Sequence, residues 1–335
     1  MGMKEFLIRR IITSISLLFV VLIFNFILFR LPLFIFGTDP VDLVVPPEAP
    51  ESMKILLKQM WGLPPKNAGL GAWLNYLFKY LYNMLTFNFG FSYLRFPQRV
   101  ADLVIEALPR TLGFVGISTI LSIIIGVRWG IKIGAKAGSL TDVLSVGISL
   151  FLYSLPAYWL GMLFILFLAS SHGIPIFPAG RFASASAPED PLLYSLDVGW
   201  HLVLPIVTFV LVGYGGYLLL MRNNLVVVLA EDFILVARAK GLDERIVLYK
   251  HALRNAFLPV VTSVVYAIAL LWTGAILTEQ VFSIPGIGQL FYQAILQNDW
   301  PVAEALFYLI ALTVIIASLA VDIVYMIIDP RVRYG

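Results

Sequence analysis

The sequence contains no cysteine and only three histidines, His172, His201 and His251. The missing thiols exclude disulfides, thiolate nucleophiles and cysteine metal sites. The histidines fall on separate loops or span edges without metal-ligand spacing, which argues for ordinary interfacial residues. Charge is scarce as well, at 13% of residues against 60% hydrophobic ones. A soluble domain is only about 45–50% apolar, so a water-soluble fold is excluded. No G-x-x-x-x-G-K-[ST] occurs, and the chain therefore has no P-loop of its own with which to hold ATP. Nor does any apolar stretch alternate with polar residues, as a strand of an outer-membrane barrel would.

What is present is a set of long apolar runs. Six of them, near Ile11–Phe29, Thr111–Trp129, Val143–Ala169, Leu202–Met221, Leu258–Thr278 and Ala305–Val324, approach or exceed the length of about 20 helical residues that a bilayer core requires. The expected fold is an all-α membrane protein with six transmembrane helices. The first run follows Lys4, Arg9 and Arg10 and resembles a signal peptide, but it extends to Phe29 and then meets Arg30-Leu31-Pro32 without an A-x-A-like site. An uncleaved first helix is the better reading.

Basic residues set the orientation. With the N-terminus inside, the inner segments hold Lys4, Arg9, Arg10, then Arg128, Lys132, Lys136, then Arg222, Arg238, Lys240, Arg245, Lys250, Arg254, and finally Arg331 and Arg333. The two shorter outer loops hold Arg181 alone, as the positive-inside rule requires. Both termini are therefore expected in the cytoplasm. The net charge of +3 is explained by this bias and does not call for nucleic acid as a partner.

The expected organisation is an N-terminal region with the first helix (1–30), an extracytoplasmic subdomain (31–110) and a five-helix core (111–335) containing a cytoplasmic loop at 222–257. Within 31–110, Glu51–Met60 and Ala72–Thr86 have helical spacing of apolar residues and are separated by Trp61-Gly62. Two short surface helices are expected there, the other reading being a disordered insert. Gly126, Gly130, Gly134 and Gly138 recur every fourth residue, a spacing that lets helices approach closely in lipid. Ser170–Gly199 reads as irregular.

The loop 222–257 is far longer than a turn requires. Gly241 suits a left-handed helix terminus and Asp243 the N-cap of a following helix, so two short helices should meet at a fixed elbow. Ala237, Ala239 and Gly241 keep the elbow slim, and Arg238, Lys240 and Arg245 surround it with cations able to pair with carboxylates. Two readings stay open on these residues alone: insertion into a groove of a partner protein, or an amphipathic helix resting on anionic lipid headgroups.

Ala-Arg-Ala-Lys-Gly-Leu at 237–242, Arg-Asn-Ala at 254–256 and Leu-Pro at 258–259 together resemble the cytoplasmic loop of binding-protein-dependent ABC importer permeases of the dipeptide and oligopeptide branch. Val281–Leu290 with Asn298–Pro301 resembles that branch's last outer loop, Ser154–Gly161 its third span and Asp329–Tyr334 its C-terminus. The glutamate that opens the broader superfamily's loop motif falls at Leu235, which sets this chain nearer to the peptide branch than to the sugar and amino-acid branches.

The resemblance implies a type I importer-like permease translocating di- or oligopeptides, or oligosaccharides, by alternating access. It implies a second homologous permease chain, two cytoplasmic ABC ATPase subunits and an extracytoplasmic solute-binding protein as partners, within the cytoplasmic membrane and its lipid. The chain itself would hold no cofactor, ATP and magnesium being used by the ATPases. Ala237, Arg238, Ala239, Lys240, Gly241, Leu242, Asp243, Arg245, Arg254 and Asn255 match the coupling segment. The alternatives are an ion-coupled carrier or a channel. A proton-driven carrier would place Asp, Glu or His inside its spans, yet the six runs contain only Asp322, although neutral Asn25 and hydroxyls could serve sodium. A channel would need a filter-like loop, for which Ser283–Gly288 is the one candidate.

Overall fold

The computed structural model describes residues 3–30, 41–42, 45–46, 48–61, 63, 69–170, 173–271 and 275–328. His172 and the 329–334 segment lie outside them. All regular structure among the described residues is helical: α1 (Met3–Phe29), α2 (Glu51–Trp61), α3 (Leu70–Leu85), α4 (Val100–Gly134), α5 (Leu140–Ser154), α6 (Ala157–Leu168), α7 (Pro191–Leu229), α8 (Asp232–Ala239), α9 (244–256), α10 (Leu258–Leu270), α11 (Ile276–Val281), α12 (Ile287–Leu296) and α13 (Trp300–Ile328).

Among the described residues four helices are long and apolar enough to cross a membrane: Glu5–Phe29, Val100–Gly134, Pro191–Leu229 and Trp300–Ile323. The run expected as one span at Val143–Ala169 is instead two helices, α5 and α6, bent by 93°. The cause is Pro156, which lacks an N–H and holds Leu155 extended, at φ −79° and ψ 136°. Counted as one broken span, this pair makes five. The expected span Leu258–Thr278 also departs from a single rod: α10 ends at Leu270 and α11 starts separately at Ile276, with 272–274 outside the described residues.

Two spans are longer than their apolar runs suggest. The helix read as starting at Thr111 begins at Val100 and passes through a π-helical turn at Leu112–Gly116, which follows Pro109. The helix read over Leu202–Met221 runs from Pro191 to Leu229, so the end of the segment read as irregular, from Pro191 to Gly199, is helical. Its start signal is local: Asp190 Oδ1 accepts hydrogen bonds from the N–H groups of Leu192 and Leu193, each at 2.9 Å, and Pro191 occupies the first helical position.

α4 and α7 pack together along the glycine stripe. A Cβ on Gly126 would stand 2.8 Å from Tyr217 Cβ, and one on Gly130 would stand 2.6 Å from the Leu218 carbonyl oxygen. One on Gly134 would lie 3.2 Å from Leu225 Cδ2. Without side chains at these positions the two backbones approach closely, as small-residue stripes permit. Gly138 does not belong to the stripe: its φ is +84° and nothing approaches its Cβ position, so it serves the turn into α5. Arg222 of α7 closes the same corner by holding Asp142 of α5 through Nη2 at 2.6 Å and Nε at 3.0 Å.

The opposite corner is built by α1, α3, the start of α4, α12 and α13 around Leu22, Phe26, Tyr80, Leu103, Leu290 and Leu306. Inside it Arg30, 9% exposed, pairs with the fully buried Glu304 through Nε and, at 2.7 Å, through Nη2. Arg30 Nη1 donates to the hydroxyls of Tyr76 and Tyr93, at 2.8 and 3.3 Å. Asn25 Nδ2 donates to the Glu304 carbonyl at 3.0 Å. Asp322 is thus not the only acid in the membrane-crossing helices: Glu304 lies one residue before the expected start of the last span, and α13 begins at Trp300. Asp322 itself pairs with Arg10 at 3.2 Å.

Candidate functional site

The segment between α7 and α10 folds as two short helices, α8 and α9. Helix α8 ends in a Schellman motif, with Gly241 N–H donating to Arg238 O at 2.9 Å and Leu242 N–H to Ala237 O at 3.4 Å. Such a motif requires a left-handed residue, and Gly241 supplies it with φ +73°. Asp243 then caps α9 by accepting from Arg245 N–H at 2.8 Å. A π turn at Val247–Ala252 rotates the rest of α9 before it meets α10.

The elbow is anchored by its apolar face. Ile234 and Ala237 from α8, with Val247, Ala252, Leu253 and Ala256 from α9, pack on Val127 of α4, Met221 and Leu225 of α7 and Val260 of α10. All of these side chains are buried, so the elbow and the end of the α4–α7 pair form one packed unit.

The ten residues singled out from the sequence divide by this packing. Arg238, Ala239, Lys240, Gly241, Asp243, Arg245, Arg254 and Asn255 are exposed. Leu242 is half-buried against the apolar cluster, and Ala237 is 5% exposed and faces the bundle. Ala237 sits in the buried cluster where α8 packs on the π turn of α9, and it presents nothing outward. Arg238 does not project freely either: its Nε and Nη2 hold Glu244 at 2.8 and 3.2 Å, bracing α8 against α9. Asn255 Nδ2 bonds the His251 carbonyl at 3.3 Å within α9.

The outward surface also has an apolar component that reading by charge overlooks. Leu235 is 56% exposed, Val236 54% and Tyr249 60%, with Phe233 and Ile246 beside them. The signal was present in the helical period, since Ile234 and Ala237 at i and i+3 turn inward and leave 233, 235 and 236 outside. Exposed apolar side chains flanked by cations set this surface apart from that of a simply solvated helix.

The other notable turn, 279–289, is built around Glu279, which is fully buried. Its carboxylate accepts from Thr111 Oγ1 at 2.8 Å and from Gln289 N–H at 3.0 Å, and Thr111 Oγ1 in turn accepts from Ile287 N–H at 2.7 Å. Through Thr111 the buried carboxylate and the Ile287 amide are tied to α4, which is the pattern of a structural corner and not of an ion filter. His201 Nδ1 lies 2.9 Å from the Asp197 carbonyl and is equally local.

These helices and this elbow define a polytopic α-helical membrane protein with a rigid, partly basic and partly apolar projection packed on its longest helices. The chain belongs to the family described as the inner membrane component of binding-protein-dependent transport systems, whose model matches residues 119–334. It is a transport permease component and not the ATPase of such a system. Among similar proteins is the oligopeptide transport system permease protein AppB of Bacillus subtilis, 32% identical over 332 residues, which cover 99% of this chain and all of that one. The peptidoglycan transport system permease protein YejB of Agrobacterium fabrum is 33% identical over 290 residues, covering 85% of this chain and 77% of the relative. A probable peptide ABC transporter permease protein, y4tP of Sinorhizobium fredii, is 30% identical over 336 residues and 99% of this chain. Membership in this family sets aside the carrier and channel readings.

Proposed function

We propose that this chain carries di- or oligopeptides across the cytoplasmic membrane as one of two homologous permease subunits, and that the 237–245 elbow is where an ATPase subunit grips it. The observation that carries the reading is the anchoring of α8 and α9 on α4, α7 and α10 by one continuous buried cluster. A push on an elbow so packed is transmitted to the spans as a rigid-body motion instead of being absorbed locally.

In this reading the N- and C-termini and the elbow lie in the cytoplasm, as the distribution of Lys and Arg requires. Two ATPase subunits bind ATP and magnesium beneath the permease pair, while this chain holds no cofactor. An extracytoplasmic binding protein delivers solute to the opposite mouth. Lys240, Arg245 and Arg254 offer the cations, and Leu235, Val236 and Tyr249 the apolar contact, for a groove on the ATPase. Closure of the ATPases on ATP rocks the bundle from inward-open to outward-open, and the differential energy comes from nucleotide. The peptide substrate is supported by the relatives AppB, an oligopeptide transport permease, and y4tP, a probable peptide transporter permease.

Gly241→Val tests the reading. A β-branched residue held at φ +73° costs about 1–2 kcal/mol and tilts α9 against α8. The variant should insert in the membrane normally, yet lose peptide uptake and the stimulation of ATPase activity by the binding protein. Unchanged uptake and stimulation would remove the elbow from the coupling path.

A further inference from the structure

We propose that the end of α4 nearest the elbow holds the headgroup of an anionic phospholipid, with Arg128, Lys132 and Lys136 as its cations and Ile117, Leu121 and Ile124 as the wall for its chains. The site requires only that α4 spans a bilayer, whatever solute the chain carries. The helical period places it. Ile117, Leu121, Ile124, Arg128 and Lys132 follow one another at steps of three or four residues and therefore share one face of α4. Gly126, Gly130 and Gly134, which receive α7, stand on the far side, so this face is turned away from α7. It is uncovered: Ile117 is 46% exposed, Leu121 37% and Ile124 41%. Arg128, Lys132 and, in the turn that ends the helix, Lys136 are exposed as well.

One stripe thus changes within a turn from hydrocarbon to positive charge, the order in which a phospholipid presents its chains and its phosphate. Trp129 marks the level of the change, as tryptophans at a membrane interface do. Its Nε1 donates to Ser145 Oγ of α5 at 2.9 Å, and Lys132 Nζ lies 4.5 Å from the centroid of its ring. Charge then selects the occupant. Arg10 is paired with Asp322, Arg222 with Asp142 and Arg238 with Glu244, whereas Arg128, Lys132 and Lys136 have no acidic partner among the described residues. Asp142, the acid at this corner, is 1% exposed and already held by Arg222. A single cation in the last turn would answer the helix dipole, and three leave a surplus. Arg128 and Lys132 stand about 6 Å apart along the axis, within reach of one phosphate for two long side chains, and a guanidinium fork suits phosphate oxygens.

The test uses the full-length chain in phosphatidylcholine vesicles with a graded fraction of phosphatidylglycerol. Bromine is placed on the chains of one lipid or the other, and the part of the tryptophan quenching that disappears in Trp129→Phe reports this site. Phosphatidylglycerol should be preferred there about tenfold or more. Arg128→Gln and Lys132→Gln, both on exposed side chains, should each lower the preference about fivefold, the effect of one cation at a membrane surface. Lys250→Gln removes an exposed cation outside the site and should leave the preference unchanged. Equal quenching by the two lipids, or a preference untouched by both α4 variants, would overturn the proposal. So would an equal loss in Lys250→Gln, which would replace a site by the diffuse field of many cations. Relief of the quenching by inorganic phosphate at constant ionic strength would overturn it in favour of a free anion.

Discussion

Replacing Glu304 with leucine removes the carboxylate that balances Arg30 while leaving the guanidinium in place. Arg30 would keep only the hydroxyls of Tyr76 and Tyr93, at 2.8 and 3.3 Å, as acceptors, at a position 9% exposed. Breaking a buried ion pair from one side costs about 3–5 kcal/mol because an uncompensated charge stays in a low-dielectric site. Removing both partners is different, since two charges no longer have to be desolvated; such replacements are often neutral or stabilising by about 1–4 kcal/mol. The ordering should therefore be non-additive, with Glu304→Leu and Arg30→Met each markedly destabilised and the double variant close to the parent. Thermal unfolding in detergent, followed through tryptophan fluorescence, reads this directly, because Trp61, Trp73 and Trp300 surround the site. A double variant as unstable as either single one would refute the argument, and so would a Glu304→Leu chain that melts with the parent.

Three further outcomes are expected. Gly130→Val should destabilise by about 1–3 kcal/mol through overpacking against Leu218 and Met221, whereas Gly147→Ala, with nothing near its Cβ position, should stabilise by about 0.4–1 kcal/mol; the same melting assay compares them. Glu244→Gln loses an exposed pair with Arg238, worth about 0–1 kcal/mol, so the melting temperature should barely change, while Arg238 is released and affinity for the ATPase, measured by co-purification, should change. Burial holds the carboxyl of Asp299 above the usual range, although Ser92 and Tyr93 N–H hold it down in part. A raised folded-state value means that the folded chain binds the extra proton, so its contribution to stability is complete in acid and is lost as pH rises through the folded value. Asp299→Asn should flatten that decline in a pH series of melting curves.

Much of the fold was legible because it depends on near neighbours. The helices at Glu51–Trp61 and Leu70–Leu85 follow from apolar spacing, and the elbow follows from Gly241 and Asp243, whose roles are set by the dihedral angles and side-chain reach of a few adjacent residues. The errors have local reasons too. Pro156 breaks a stretch whose flanks are uniformly apolar, and Asp190 caps a helix whose first turns are less apolar than its middle. Hydropathy measures transfer to lipid and is blind to whether a backbone continues as a helix. It therefore located four of the six expected spans, misplaced their ends, and ran through the breaks in the other two.

The sequence by itself determined that this chain lives in a membrane as helices and that a slim elbow interrupts its last third. These are properties of composition, period and short-range backbone geometry. Only the tertiary structure decided that Ala237 faces inward, that Arg238 is spent on Glu244, and that Arg30 finds Glu304 across 274 positions of sequence. Such pairings carry no mark in either neighbourhood, because a buried charge is tolerated only through the partner that folding brings to it.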